Sequence, residues 1–163
     1  MPLLTLPEFS AGLPLIGGLI GLDPGSKTIG VAGTDPTRLI ASSIEGIWRT
    51  KFTWDAERVF DLWDEREAVG LVVGLPLNMD GSAGPAAQSA RAFAANLLKI
   101  RDIPLLMWDE RLSTVAVTRT LIDADMSRQK RANVVDKTAA AWVLQGLIDR
   151  LREDARRAAQ APE

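Results

Sequence analysis

An α/β fold with a mixed sheet of five strands is predicted from three observations. Apolar or β-branched segments at residues 15–22, 28–32 and 39–47 are separated by the turns Asp23-Pro24-Gly25 and Asp35-Pro36, the spacing of an antiparallel meander. The apolar period then becomes helical at Ala56, Val59, Phe60 and Trp63. Two continuous apolar runs, Leu71-Val72-Val73-Gly74 and residues 103–108, alternate with helical patterns, as parallel strands covered on both faces do.

The first two segments form a hairpin, and the third adds an antiparallel strand. Thr53 is the expected cap of the first helix. Ala86, Ala90, Phe93, Ala94, Leu97 and Leu98 make the apolar face of the second. Ser113 or Thr114 can cap a third helix through about Ile122, followed by a basic loop at residues 125–131. Asn133 then starts a last helix carrying Val135, Ala139, Trp142, Val143 and Leu147. The predicted order is β-β-β-α-β-α-β-α-α, a meander followed by crossover units. Residues 16–150 are expected to form the domain, 1–15 a loose N-terminal tail, and 151–163 a helical extension or tail. The five tryptophans read mostly as core, with none assigned to base stacking.

With 163 residues, 47% of them hydrophobic, the chain can fill a single core. Histidine and cysteine are both absent, which excludes disulfides, zinc clusters, and Cys or His nucleophiles and bases. Acid/base or metal chemistry must use Asp, Glu, Lys, Ser or Thr. The formal charge of -2 argues against a generally basic coat but allows a local phosphate-binding patch. No basic leader or membrane-length apolar stretch is visible, so a cytoplasmic protein without membrane contact is expected.

Three acids stand out: Asp23, Glu110 and Asp136. Asp23 at a turn needs no function, since its side chain can bond the backbone two residues on. However, Gly25 and Gly30 leave the nearby backbone bare, and Lys27 adds a cation suited to phosphate. Glu110 is read either as a solvated loop residue paired with Arg111, or as a ligand at a strand's carboxyl end, where sites in open α/β sheets gather. Asn133-Val134-Val135-Asp136 has the form of a capping box, yet Asp136 shares a helical face with Ala140, Val143 and Leu147. Inward-facing carboxylates require partners or a cation.

The loop from Gly74 to Ser82 lacks the Gly-Lys-Ser/Thr of a P-loop. It is either an ordinary connection or a substrate platform with Asn78 and Ser82 as donors. Arg128, Lys130, Arg131 and Lys137 form a basic cluster, read about evenly as a solvated charge run or as phosphate contacts.

Four motifs occur in order: Gly-Leu-Asp-Pro-Gly-Ser-Lys-Thr-Ile-Gly-Val-Ala from Gly21, Val-Val-Gly-Leu-Pro-Leu-Asn-Met-Asp-Gly-Ser from Val72, Asp-Glu-Arg-Leu-Ser-Thr from Asp109, and Val-Val-Asp-Lys-Thr-Ala-Ala from Val134. With these the chain resembles the YqgF family, the RuvX-type Holliday junction resolvases, from about Ile16 to Asp149. The resemblance implies a ribonuclease H-like fold, a mixed five-stranded sheet with helices around it, and a nuclease of the bacterial cytoplasm. Members are linked to maturation of the 5′ end of 16S rRNA precursor and to resolution of four-way DNA junctions. The family's acids map to Asp23, Glu110 and Asp136. Ser113 stands where the third motif usually continues with Thr, keeping the hydroxyl. RuvC resolvases place an acid after the fourth strand, where this chain has Gly74-Leu75-Pro76, so Glu110 would have to supply that ligand.

Hard cations such as Mg²⁺ or Mn²⁺ suit a site of carboxylates alone. A two-metal site is therefore expected, bridged by Asp23 and completed by Glu110 and Asp136. Lys27, Asn78, Ser82, Arg111, Arg128, Lys130, Arg131 and Lys137 are the candidate substrate contacts. Symmetric cutting of a junction would favour a homodimer. Two alternatives compete: a non-catalytic RNA-binding or protein-interaction module, and an actin- or sugar-kinase-like phosphotransferase, which would need a second lobe.

Overall fold

The computed structural model describes residues 3–112 and 128–160, and for residues 128–138 the backbone alone. In chain order the elements are α1 (Leu6–Gly12), β1 (Leu19–Pro24), β2 (Thr28–Thr34), β3 (Ala41–Trp48), α2 (Phe52–Glu65), β4 (Gly70–Leu75), α3 (Pro85–Ile100), β5 (Leu105–Asp109), a 3-10 turn (Glu110–Leu112) and α4 (Arg128–Gln160). The sheet order is β3-β2-β1-β4-β5. β1, β2 and β3 pair antiparallel, while β4 pairs parallel with both β1 and β5. The expected mixed sheet is thus formed, and its two parallel strands are linked by the crossover helix α3.

Strand alternation divides the core into two layers. Ile20, Leu22, Ile29, Val31, Leu71 and Val73 face α2 and α3. Leu19, Ala32, Val72, Leu106 and Trp108 face α4 and α1, where they meet Ala140, Val143, Leu144 and Leu147. On this second face β1 carries Gly21, and a Cβ there would stand 2.9 Å from Leu144 Cβ and 3.3 Å from the Ala140 carbonyl oxygen. The missing side chain lets the backbone of α4 lie against the central strand.

Several local expectations change. Residues 6–12, expected to be loose, form a helix whose Thr5 and Glu8 make a reciprocal capping box and whose Phe9 is fully buried. Leu4 bridges Leu106 in parallel, laying the N-terminal segment along β5. α2 is preceded by Lys51 rather than capped by Thr53; the buried Asp55 instead accepts from the Thr50 amide at 3.1 Å and the Thr50 hydroxyl at 3.2 Å. α4 begins at Arg128, so Arg128–Arg131 is helical rather than a loop, and Asn133 lies inside the helix instead of capping it. Arg, Gln, Lys and Ala are good helix formers, and no Gly or Pro occurs between residues 128 and 145. Trp48, Trp54 and Trp142 are 54%, 61% and 40% exposed, so only part of the tryptophan set is core. The helix expected at residues 113–122 lies outside the described residues. No described helix is long and apolar enough to cross a membrane.

Candidate active site

Asp23 is near the carboxyl end of the central strand, paired across β1 and β2 with Gly30. It points to the same sheet face as Gly21, two residues earlier. Glu110 follows β5 directly, at the start of the 3-10 turn. Both carboxylates are buried, with 3% and 7% relative exposure. Between their strands lies β4, ending in Gly74-Leu75. A Cβ on Gly74 would stand 2.8 Å from Glu110 Oε1, 3.2 Å from Val143 Cγ2 and 3.4 Å from Asp23 Oδ1. The two acids therefore converge on the space that Gly74 leaves open.

That space is a carboxylate cradle. Two buried like charges are costly unless a cation or proton joins them, and their oxygen donors are those hard divalent cations prefer. The residues present fit such an ion. Asp136 lies one turn before Ala140 on α4, the helix whose backbone rests on Gly21. Its side chain falls outside the described residues, as do those of Arg128, Lys130, Arg131 and Lys137. Among the described residues no group of three or more acids could hold a metal, because only two of the three candidates are included.

A cleft of about 490 Å³ opens beside Asp23. The hairpin turn, with Gly25 and Ser26, forms one wall; Pro76 and the first turns of α3, with Pro85 and Ser89, form the other. Lys27 is exposed on the same turn. The turn is held by Gly25 N–H to the Thr28 carbonyl at 2.8 Å and by Arg49, whose Nη1 donates to the Gly25 carbonyl at 2.6 Å. Arg49 has no sequence signal, since only the strand pairing brings it to the turn.

The β4–α3 loop is closed on itself. Asn78 Nδ2 donates to Ser82 Oγ at 2.9 Å, and the Ser82 hydroxyl donates to Asp80 at 2.6 Å. Together with the Ser82 amide, that hydroxyl holds the Asp80 carboxyl below its usual range. Asn78 and Ser82 thus bond within the loop. Arg111 is engaged by other groups: its Nη2 meets Asp109 at 2.7 Å, while Nη1 reaches the Met79 carbonyl at 3.3 Å. The Arg111 guanidinium, with the Arg111 backbone amide, holds Asp109 below the ordinary carboxylate range. Arg111 clamps the loop to the turn bearing Glu110. Gly74 was noted in sequence only as the place where an acid is missing; its role as the gap holding two carboxylates needs three dimensions.

Similarity to known proteins agrees with this geometry. "Putative pre-16S rRNA nuclease" of Caulobacter vibrioides is 54% identical over 154 residues, covering 93% of this chain and 99% of the relative. The protein of that name from Cereibacter sphaeroides is 58% identical over 147 residues, covering 90% and 92%. Among solved structures, Thermus thermophilus RuvC in complex with Holliday junction substrate matches with a TM-score of 0.52 at 10% identity, covering 85% of this chain and 96% of that one. The yeast mitochondrial Holliday junction resolvase Ydc2 matches with a TM-score of 0.50 at 13% identity, covering 95% and 89%. The fold is thus the ribonuclease H-like arrangement of the RuvC resolvases. The family model described as "RuvX: Holliday junction resolvase" matches residues 17–150, and on that match and the close relatives the chain belongs to the RuvX family.

Proposed function

We propose that the chain is a divalent-metal-dependent endonuclease that hydrolyses phosphodiesters in structured nucleic acid, with Mg²⁺ or Mn²⁺ held by Asp23, Glu110 and Asp136. The observation that carries this reading is the convergence of two buried carboxylates on Gly74. Glu110 brings its carboxyl to the position from which a side chain on β4 would project, so the fifth strand serves where RuvC resolvases use the fourth. Bound metal would supply charge neutralisation at the phosphoryl oxygens and activation of water.

The chain's own residues do the rest. Burial of Asp23 and Glu110 between strand ends fixes their carboxylates and excludes bulk water, which strengthens their electrostatic action. Lys27, exposed on the hairpin turn, neutralises charge on the substrate phosphate. Arg128, Lys130, Arg131 and Lys137 supply phosphate contacts from the first turns of α4. Arg111, Asn78 and Ser82 act chiefly by fixing the loop that borders the site. The phosphotransferase alternative lacks support, because the described residues form one sheet with its flanking helices.

The names of the relatives favour 16S rRNA precursor as substrate; its 5′ end, and action in the cytoplasm, complete the proposal. Four-way DNA junctions are the second candidate, and symmetric cutting of them would call for a homodimer. Cleavage of a precursor-rRNA 5′ fragment and of a four-way junction, assayed side by side, tests the proposal. Cutting of one or both with Mg²⁺ or Mn²⁺ and none with EDTA is expected. Binding without cutting under every metal condition would instead identify a non-catalytic module.

A further inference from the structure

The hairpin turn that walls the cleft beside Asp23 is tied by Arg49 to the segment between β3 and α2. Arg49, bonded to the Gly25 carbonyl, lays its guanidinium 5.5 Å from the centroid of the Phe93 ring. Phe93 is one turn along α3 from Ser89, which lines the cleft. Two residues beyond Arg49, Lys51 places Nζ 5.6 Å from the Trp54 ring. From the cleft wall at Gly25, the Arg49 guanidinium bonded to its carbonyl leads within two residues to a lysine seated over an indole.

This junction is rigid. Thr50 is tied to Asp55, Trp54 N–H donates to the Lys51 carbonyl at 3.0 Å, and Phe52 packs edge-on against Phe93 at 5.7 Å. Phe52 buries its ring on the core side, so the helical phase of α2 turns Trp54 outward at 61% exposure. Keeping a large aromatic in water forgoes burial that the same ring would gain elsewhere. An exposed ring beside a cation, five residues from the Arg49 that holds the cleft's hairpin turn, has the features that bind unpaired nucleotides: a cation for phosphate and a flat face for a base.

The geometry points to a single-strand track, in which nucleotides flanking the scissile phosphate leave the Asp23 cleft past Ser26 and Ser89, pass Arg49 and Lys51, and stack an unpaired base on Trp54. It rests on the nuclease reading and deepens it. The preferred substrate carries an unpaired strand at the cut, because a base within continuous duplex is already stacked on its neighbours.

Binding of a short fluorescent single-stranded RNA and of its blunt duplex, measured by anisotropy in EDTA, tests the track. The wild-type protein should prefer the single strand. Trp54→Ala should weaken single-strand binding about five- to a hundred-fold and leave duplex binding unchanged, whereas Trp54→Phe should retain most of it. Lys51→Gln should flatten the salt slope by about 0.7. The track is overturned if Trp54→Ala binds the single strand as wild type does, if it weakens both substrates equally, or if the wild type prefers duplex or binds neither. Metal-dependent cleavage by the wild type is scored in parallel on the precursor-rRNA 5′ fragment and the four-way junction. Trp54-dependent binding with no cutting of either structured substrate under any metal condition would sink the nuclease reading while keeping the track.

Discussion

The two faces of β1 follow different rules. Toward α2 and α3 the strand shows Ile20 and Leu22, each fully buried among aliphatic side chains. Toward α4 it shows Leu19, Gly21 and Asp23: an apolar anchor, then a gap, then a charge. One face is filled for stability, burying a leucine being worth about 1.5–3 kcal/mol. The other is thinned so that a helix can approach, and at its carboxyl end it gives room to carboxylates. Adjacent residues of one strand can thus be altered with opposite consequences.

The largest effect should come from Asp23→Asn, which is expected to lower metal-dependent cleavage at least about a hundred-fold while the thermal midpoint stays close to wild type. Retained activity in the purified variant would remove Asp23 from the metal site. Asp136→Asn should behave alike. Leu22→Ala, one residue away, should do the reverse: a loss of about 2–5 kcal/mol in denaturant unfolding, with normal cleavage by whatever fraction remains folded. An unperturbed unfolding curve would show that the α2/α3 face is not the stabilising one.

The two glycines refine the contrast. Gly21→Ala forces α4 from the sheet and should cost about 1–3 kcal/mol. Gly74→Ala pushes a methyl toward Glu110 and Asp23, so it should reduce cleavage more than stability. Equal effects of the two substitutions on both readouts would erase the distinction. The smallest effect belongs to the Asp109–Arg111 clamp. Asp109 has a depressed pKa in the fold, so its stabilising contribution is present above the ordinary Asp range near pH ~4 and is lost as pH falls through the lower folded value. Asp109→Asn should therefore cost at most about 1 kcal/mol at neutral pH, with variant and wild type converging in acid; a gap that widens in acid contradicts the clamp.

The sheet is legible in sequence because its punctuation is strong. Pro24-Gly25 ends β1 one residue past the acid, two residues beyond the expected end at Leu22, and Leu71-Val72-Val73 has no polar residue to place outward. The acids are legible as residues, but their convergence is not, since Glu110 and Asp23 are far apart in the chain and meet only through strand order. α1 is a different case: Thr5-Leu6-Pro7-Glu8 carries the capping signature, hidden because seven residues of helix give little periodicity. The start of α4 shifts because helix propensity in Arg128–Ala132 outweighs the local turn preference of Asn133. Trp48 and Trp54 mislead because composition treats every tryptophan as core, while exposure depends on the phase of the element that carries it.

The N-terminal segment has a consequence for how the domain can be cut. Leu4 N–H bonds the Leu105 carbonyl at 3.1 Å, and Phe9 fills the space beside Gly70. A fragment beginning at the family match, residue 17, would strip this bridge from the edge strand β5 and leave its backbone uncovered beside an empty aromatic socket. Such an edge recruits strands from neighbouring molecules. The trimmed fragment should self-associate in proportion to its concentration even though its three candidate acids are intact, so residues outside the family match act as the chaperoning hem of the sheet.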